Sequence, residues 1–322
     1  MRLLICTQAI DADDPILGFF VRWVEELAKR SQHVTVLCLR AGRHGLPSHV
    51  RVIELNGSRV TRIIKILRYI VVFRHHYDRV FVHMSQEFVL LGGVAWRVLG
   101  KKVFLWRNHY AGGILTRLSG ALCDKVFYTS HYSYTAHFKN AVHMPVGIDT
   151  DVFIPRSGRE RGSVLFLGRI APSKRPELLI EAARSLPCSI DFYGPGQRRY
   201  IEELSKKAEG MSVAFRGSVS NAQAPAVFAA HEIFVNMSPA GMFDKTIIEA
   251  ASAGCLIATS SPDAAKALGI TAVPTAGALK GELVRLLGLS AQEAQQLSHQ
   301  MREKARAHSL GALMERLVAQ MS

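Results

Sequence analysis

Short apolar runs alternate with segments of helical spacing along nearly the whole 322-residue chain. The run R-L-L-I-C-T is followed by I-L-G-F-F-V-R-W-V-E-E-L-A-K-R, with apolar residues three and four apart, and then by the apolar run H-V-T-V-L-C-L. Short, continuous apolar runs are typical of strands in a parallel sheet, because the crossover helices bury both faces of such a sheet. The alternation therefore predicts an α/β fold in which helices cover parallel sheets.

The composition changes in the polar, turn-rich segment 147–163, G-I-D-T-D-V-F-I-P-R-S-G-R-E-R-G-S. A second series of strands and helices opens after it with S-V-L-F-L-G-R-I. A chain of this length favours two domains of roughly 150 residues each. We therefore predict two doubly wound domains, 1–153 and 154–322, whose strand carboxyl ends face a cleft.

The chain is strongly basic, with a formal net charge of +14. Before Phe153 there are 20 basic and 11 acidic side chains, so much of the excess lies in the first half. Such a field attracts nucleic acid, anionic lipid or a phosphorylated substrate. The chain lacks an aromatic-interleaved basic motif of the RNA-binding kind, so we do not predict a nucleic-acid partner.

The five cysteines are scattered and include no Cys-x-x-Cys pair, which is typical of buried thiols in a reducing compartment. No apolar run reaches the roughly 18 residues of a membrane-spanning helix. The N-terminal run ends in D-A-D-D without a small-residue cleavage site, so we predict no signal peptide. These features predict a cytoplasmic protein, with attachment to the inner face of the plasma membrane as the alternative.

The stretch L-F-L-G-R-I-A-P-S-K-R-P places two cations on a loop that follows a strand. The strand ends at Gly168, Arg169 and Lys174 lie on the loop, and a helix is predicted over 176–186. The carboxyl edge of an open α/β sheet binds ligands, and an arginine with a lysine suits a diphosphate. The alternative is a solvated basic loop.

The stretch F-D-K-T-I-I-E-A-A-S-A-G-C predicts a helix that begins near Asp244 or Lys245. The unpaired N–H groups of its first turn would bind phosphate. Glu249, one turn further along, would accept hydrogen bonds from the hydroxyls of a ribose. In the alternative interpretation Asp244 is an ordinary N-cap and Glu249 a surface residue. The apolar neighbours of Glu249 argue against a surface position.

Residues 59–77, R-V-T-R-I-I-K-I-L-R-Y-I-V-V-F-R-H-H-Y, predict a basic amphipathic helix. Arg59, Arg62, Lys65 and Arg68 recur at every third position, and no acid occurs before Asp78. One hypothesis is a contact with an anionic membrane. The alternative is a sheet-covering helix with a solvated cationic face.

Several motifs together resemble glycosyltransferase family 4, whose members are retaining, nucleotide-sugar-dependent enzymes with the two-domain GT-B fold. They are L-G-R-I-x-P-x-K-R-P-E-L-L-I-E-A, Y-G-P-G, V-A-F-R-G-S-V and F-V-N-M-S-P-A-G-M-F-D-K-T-I-I-E-A-A-S-A-G-C in the second half. L-G-F-F-x-R-W-V-E-E-L-A and P-V-G-I-D-T-D-V-F in the first half occur in the same order as in the family. The resemblance covers essentially the whole chain. It also implies that the last helix, about 300–322, returns to the N-terminal domain.

The resemblance implies roles for individual residues of the donor site. Arg169 and Lys174, beside Gly168, would hold the donor diphosphate and stabilise it as a leaving group. Glu249 matches the second acid of the family's E-x7-E element and would bind the ribose. The resemblance also implies that Gly18 lies near the diphosphate and that His109 lies beside the transferred sugar.

The chain departs from that element at Gly241, where the family has its first acid. We expect Asp244 and Lys245 to take over part of the sugar contact. The resemblance further implies transfer from a UDP- or GDP-sugar to a glycan or lipid-linked glycan of the cell envelope, with no metal ion and no other cofactor. The missing acid leaves a catalytically inactive binding or scaffold protein as the alternative function.

Overall fold

The computed structural model describes residues 1–156 and 158–322 and divides the chain into two units. The first unit comprises Met1–Met144 and Leu313–Ser322, and the second comprises Pro145–Ala312. The predicted boundary after residue 153 stays a prediction. The linker proposed for it, 147–163, includes Ser157, which lies outside the described residues.

The first unit is built on a seven-stranded sheet in which every pairing is parallel. Its strands are β1 (Arg2–Ile10), β2 (His33–Ala41), β3 (Val50–Glu54), β4 (Arg79–His83), β5 (Lys102–Trp106), β6 (Lys125–Tyr128) and β7 (Ala141–His143). The strand order is β3-β2-β1-β4-β5-β6-β7. The helices are α1 (Phe19–Lys29), α2 (Arg59–Val72), α3 (Gln86–Val98) and α4 (Ile114–Ala121).

The second unit is built on a five-stranded parallel sheet. Its strands are β8 (Glu160–Leu167), β9 (Ser189–Tyr193), β10 (Val213–Gly217), β11 (His231–Asn236) and β12 (Leu256–Thr259), in the order β10-β9-β8-β11-β12. Its helices are α5 (Pro176–Ala183), α6 (Arg198–Lys207), α7 (Ala224–Ala230), α8 (Lys245–Ser252), α9 (Pro262–Leu268), α10 (Ala276–Leu287) and α11 (Ala291–Ala305). The final helix, α12 (Leu310–Met321), belongs mostly to the first unit.

Apolar strand residues supply the cores of both sheets. Leu3, Leu4, Ile5 and Cys6 of β1 are all fully buried, as expected for a central strand that is covered on both faces. All five cysteines are free thiols, and four of them are buried. The predicted α/β class with parallel sheets is confirmed. Within residues 1–156 and 158–322, no helix has the length and apolarity needed to cross a bilayer.

Candidate functional site

The order of strands in the second unit defines where a ligand is expected. The chain runs outward from β8 to β9 and β10, and then returns to place β11 on the other side of β8. The connections after β8 and β11 therefore diverge, and ligands of open α/β sheets bind at such a switch point. Both predicted motifs begin there, one after Leu167 and the other after Asn236.

The loop after β8 runs close to the neighbouring loop after β9. A Cβ atom on Gly194, which has φ 143°, would lie 1.8 Å from the carbonyl oxygen of Gly168. Only glycine fits this approach of two backbones, which fixes the start of the loop. Arg169 follows on the loop. Its side chain is exposed and has no hydrogen-bond or ion-pair partner among the described residues, so its guanidinium can bind an anion.

Lys174 ends the 3-10 turn Pro172–Lys174 and forms an ion pair with Asp244. Its Nζ atom lies 2.6 Å from each of the two carboxylate oxygens. The two side chains are only 14% and 21% exposed. An ammonium group has three N–H donors, so Lys174 keeps one for a ligand after bonding both oxygens.

Asp244 occupies the N-cap position of α8, but its carboxylate does not accept a hydrogen bond from the first turn of that helix. It accepts instead from the Asn236 amide at 2.9 Å and the Ser238 hydroxyl at 2.5 Å, besides Lys174. Burial raises the pKa of Asp244, but the Lys174 ammonium and these hydrogen bonds lower it by more, so it stays ionised. Because the Asp244 carboxylate does not bond to the first turn of α8, backbone N–H groups at the N-terminus of that helix remain available to a ligand.

Lys245, which is half-buried, and Glu249, which is buried, lie one turn apart on α8. Glu249 is only 7% exposed, and burial raises the pKa of its carboxyl group, while the Lys245 ammonium opposes the rise. Burial likewise lowers the pKa of Lys245, whose Nζ atom donates to the carbonyl oxygen of Val146 at 2.6 Å. The surface position considered for Glu249 is thus wrong.

Gly241, where the family resemblance leads one to expect an acid, has a structural reason to be glycine. It is buried and adopts φ 89°, in the left-handed region that other residues rarely occupy. A glutamate at this position would strain the turn between β11 and α8. The turn is therefore built differently from one that carries an acid here.

Gly18 and His109 belong to the first unit and both follow strands at the carboxyl edge of its sheet. Gly18 precedes α1, and a Cβ atom there would lie 2.7 Å from the carbonyl oxygen of Asp14, so a close turn requires glycine. His109 is half-buried and accepts a hydrogen bond at Nδ1 from the backbone N–H of Ala111 at 2.9 Å. That bond places the proton of the neutral imidazole on Nε2.

The basic helix predicted over 59–77 is α2, which ends at Val72. Arg59, Lys65 and Arg68 are exposed, while Arg62 is half-buried. Residues at every third position drift around a helix that has 3.6 residues per turn, so the four cations do not share one side.

The structure brings four of the predicted site residues together at the N-terminal turn of α8, namely Lys174, Asp244, Lys245 and Glu249. Gly168 and Arg169 follow the end of the neighbouring strand β8. The sequence interpretation missed Asn236 and Ser238 as the partners that hold Asp244. The signal was present in the polar residues that end the apolar run of β11, N-M-S-P. The sequence alone does not show that these polar residues bond to Asp244, because that requires the position of Asp244 in the fold.

The site lies in the part of the chain that matches a known family. Residues 161–288 match the family described as "Glycosyl transferases group 1". The chain is 26% identical over 164 residues to the UDP-N-acetylglucosamine--peptide N-acetylglucosaminyltransferase GtfA subunit of Streptococcus parasanguinis, a match that covers 47% of this chain and 32% of that protein. It is 31% identical over 121 residues to the sulfoquinovosyl transferase SQD2 of Arabidopsis thaliana, covering 34% and 23%. The matches thus span a third or less of these relatives.

Solved structures resemble the chain over nearly its whole length. The Anabaena protein Alr3699/HepE, solved with UDP and glucose, has a TM-score of 0.80 at 15% identity, covering 99% of this chain and 98% of that one. At this identity the likeness concerns the fold alone. Residues 161–288 are therefore similar to the glycosyl transferases group 1 family, within a chain that has the GT-B fold.

Proposed function

We propose that the protein is a retaining glycosyltransferase that moves a sugar from a UDP- or GDP-linked donor to a glycan or lipid-linked glycan of the cell envelope. The observation that carries the proposal is the cationic site of the second unit. There, Arg169, which has no partner among the residues that the structure describes, and Lys174, which keeps one N–H donor for a ligand, adjoin the N-terminus of α8. The names of the relatives and the UDP bound by the Anabaena protein support a nucleotide-sugar donor.

The charges of this site suit the bond that must break. As the anomeric carbon separates from the diphosphate, negative charge accumulates on the phosphate oxygens and positive charge on the sugar ring. The Arg169 guanidinium, the Lys174 ammonium and the N–H groups of α8 would stabilise the departing diphosphate. Asp244 would hold Lys174 in place, since its carboxylate bonds both to the ammonium and to the Asn236 amide.

The remaining residues bind and orient. In its ionised form Glu249 would accept the ribose hydroxyls, and Lys245 beside it favours that form. The acceptor hydroxyl would attack from the face that the diphosphate leaves, and the leaving phosphate would take its proton. The family resemblance gives His109 the position beside the transferred sugar. In this proposal no metal ion takes part, and turnover should be unchanged by EDTA.

A screen for nucleotide release tests the proposal, using a panel of UDP- and GDP-sugars with cell-envelope glycans as acceptors. One donor should release its nucleotide in an acceptor-dependent way. Arg169→Ala should lower kcat by about 100-fold and change KM much less, because the charge on the leaving group is greatest in the transition state. Arg198→Ala, an exposed arginine of the same unit, is the matched control and should keep full activity.

Two outcomes would contradict this account. A rise in KM with kcat unchanged in Arg169→Ala would mean that Arg169 only binds the donor. Donor binding without any turnover across the panel would favour the alternative function, a catalytically inactive scaffold, for which Gly241 in place of an acid is the motivating observation.

A further inference from the structure

Helices α2, α3 and α4 form one layer on the sheet of the first unit. The crossovers β3-α2-β4, β4-α3-β5 and β5-α4-β6 all advance in the same direction across the sheet, so their common right-handedness places the three helices on one face. Glycines allow close packing within the layer. A Cβ atom on Gly92 would lie 2.8 Å from Ile70 of α2, and one on Gly93 would lie 3.1 Å from Leu122 after α4.

The outer side of α2 is apolar and exposed. Ile66, Tyr69 and Ile70 face the sheet and are buried. Val60, Ile64, Leu67 and Val71 are 41% to 66% exposed, and their spacing of four, three and four residues places them in one stripe. This stripe lies on the side of α2 that is turned away from the sheet.

The other two helices of the layer repeat this arrangement. Leu91, Val94 and Val98 of α3 are exposed at a spacing of three and four residues, and Val98 reaches 82%. Ile114, Leu115 and Leu118 of α4 are 53% to 75% exposed. With Val72, eleven of the 17 exposed large apolar side chains of the described chain lie on these three helices, which is more than scattered surface residues explain.

The same helices are strongly basic. They contain six basic residues and a single acid, Glu87. Arg68 borders the stripe of α2 and Lys65 is exposed further round on the same side of that helix, while Arg97 and Arg117 are exposed beside the stripes of α3 and α4. Apolar side chains next to unbalanced positive charge are the two features that bind a protein to an anionic lipid surface.

We propose that the outer side of α2, α3 and α4 docks on an anionic bilayer, with the aliphatic stripes inserted among the acyl chains and the flanking cations on the lipid phosphates. The stripes are entirely aliphatic, whereas protein interfaces depend on tryptophan, tyrosine and arginine anchors that fill matching pockets. A broad aliphatic surface with a cationic rim needs no shape-specific partner. The inference does not rest on the proposed sugar transfer.

Sedimentation with sucrose-loaded vesicles tests this docking surface, using the full chain without any donor. The protein should partition about tenfold more strongly to vesicles of phosphatidylcholine and phosphatidylglycerol at 3:1 than to phosphatidylcholine alone. Val94→Gln/Val98→Gln on α3 should reduce the partition coefficient by about tenfold at unchanged net charge. Lys65→Gln/Arg68→Gln should reduce it by a similar factor and weaken its dependence on salt.

Matched variants away from the layer serve as controls. Val284→Gln removes an apolar side chain that is 53% exposed from α10, and Lys206→Gln/Lys207→Gln removes two exposed cations from α6. Both should bind vesicles as the wild type does, and circular dichroism checks that every variant is folded. Equal loss in the controls, or an α3 variant that binds normally, would overturn the proposal. So would a wild type that ignores vesicles and instead dimerises through this layer.

Discussion

Asp244→Asn tests whether the ion pair with Lys174 holds the donor site together. The variant keeps the size of the side chain and removes its charge. The Lys174 ammonium then remains 86% covered beside a neutral amide, because its side chain is only 14% exposed. Removing one member of a buried pair costs about 3–5 kcal/mol, whereas exposed pairs cost about 0–1 kcal/mol.

The Lys174–Asp244 pair lies nearer the buried limit, but it retains some contact with solvent. We therefore expect Asp244→Asn to lower the free energy of unfolding of the second unit by about 3 kcal/mol. Urea titration followed by far-ultraviolet circular dichroism measures the loss. All three tryptophans, at positions 23, 96 and 106, belong to the first unit, so their fluorescence follows that unit separately.

A double variant distinguishes the ion pair from general damage to the fold. Lys174→Met with Asp244→Asn removes both charges, so it should recover more than half of the loss. Arg198 is 94% exposed and forms an ion pair with Glu202. Arg198→Met breaks this exposed pair and should leave the free energy of unfolding unchanged. A loss below about 1 kcal/mol in Asp244→Asn, or additive losses in the double variant, would refute the reasoning.

Two further predictions concern binding and backbone strain. Burial raises the pKa of Glu249, while the Lys245 ammonium opposes the rise, so the carboxylate that would accept ribose hydroxyls is lost at a higher pH than an exposed carboxylate would be. UDP affinity relative to the Glu249→Gln variant should therefore decrease as the pH is lowered from 8.5 to 5.5, and a constant ratio would contradict the ribose contact. Gly194→Ala forces a Cβ atom against the Gly168 carbonyl oxygen and should cost more than about 3 kcal/mol in urea titration. Gly210→Ala, with a positive φ but open space around it, should cost only about 1 kcal/mol, and equal losses would refute the role of the close approach.

The sequence predicted the parallel α/β organisation because both its signals, apolar runs and helical spacing, are local. Helix ends were less accurate. The helix predicted over 176–186 ends at Ala183, because Ser185 adopts φ 72° in a turn before Pro187. The hydrophobic pattern continues through that turn, so spacing alone does not mark the end of α5.

The contacts of the site depend on which strands become neighbours. Lys174 and Asp244 are 70 positions apart and meet only because β11 pairs with β8. The residue spacing within either motif does not predict that β11 pairs with β8. The two motifs could therefore be recognised from the sequence as candidates for phosphate binding, which stays a prediction, whereas the ion pair of Asp244 with Lys174 could not be predicted.

The apolar layer of the first unit was hidden for a different reason. In α3, Gln86–Val98, apolar residues occupy nearly every side of the helix, so the sequence does not distinguish buried from exposed positions. Only the packing of Gly92 and Gly93 against α2 and the end of α4 shows which side faces outward. The cations of α2 were visible, but the aliphatic stripes beside them were not.

Isothermal titration with UDP and GDP tests most directly whether the cationic loop and the mouth of α8 bind a nucleotide diphosphate. One of the two should bind the wild type in the micromolar range. Arg169→Ala should weaken that binding by about tenfold, in line with the loss of one charge-assisted hydrogen-bond partner. No heat with either nucleotide, or unchanged affinity in Arg169→Ala, would contradict the account.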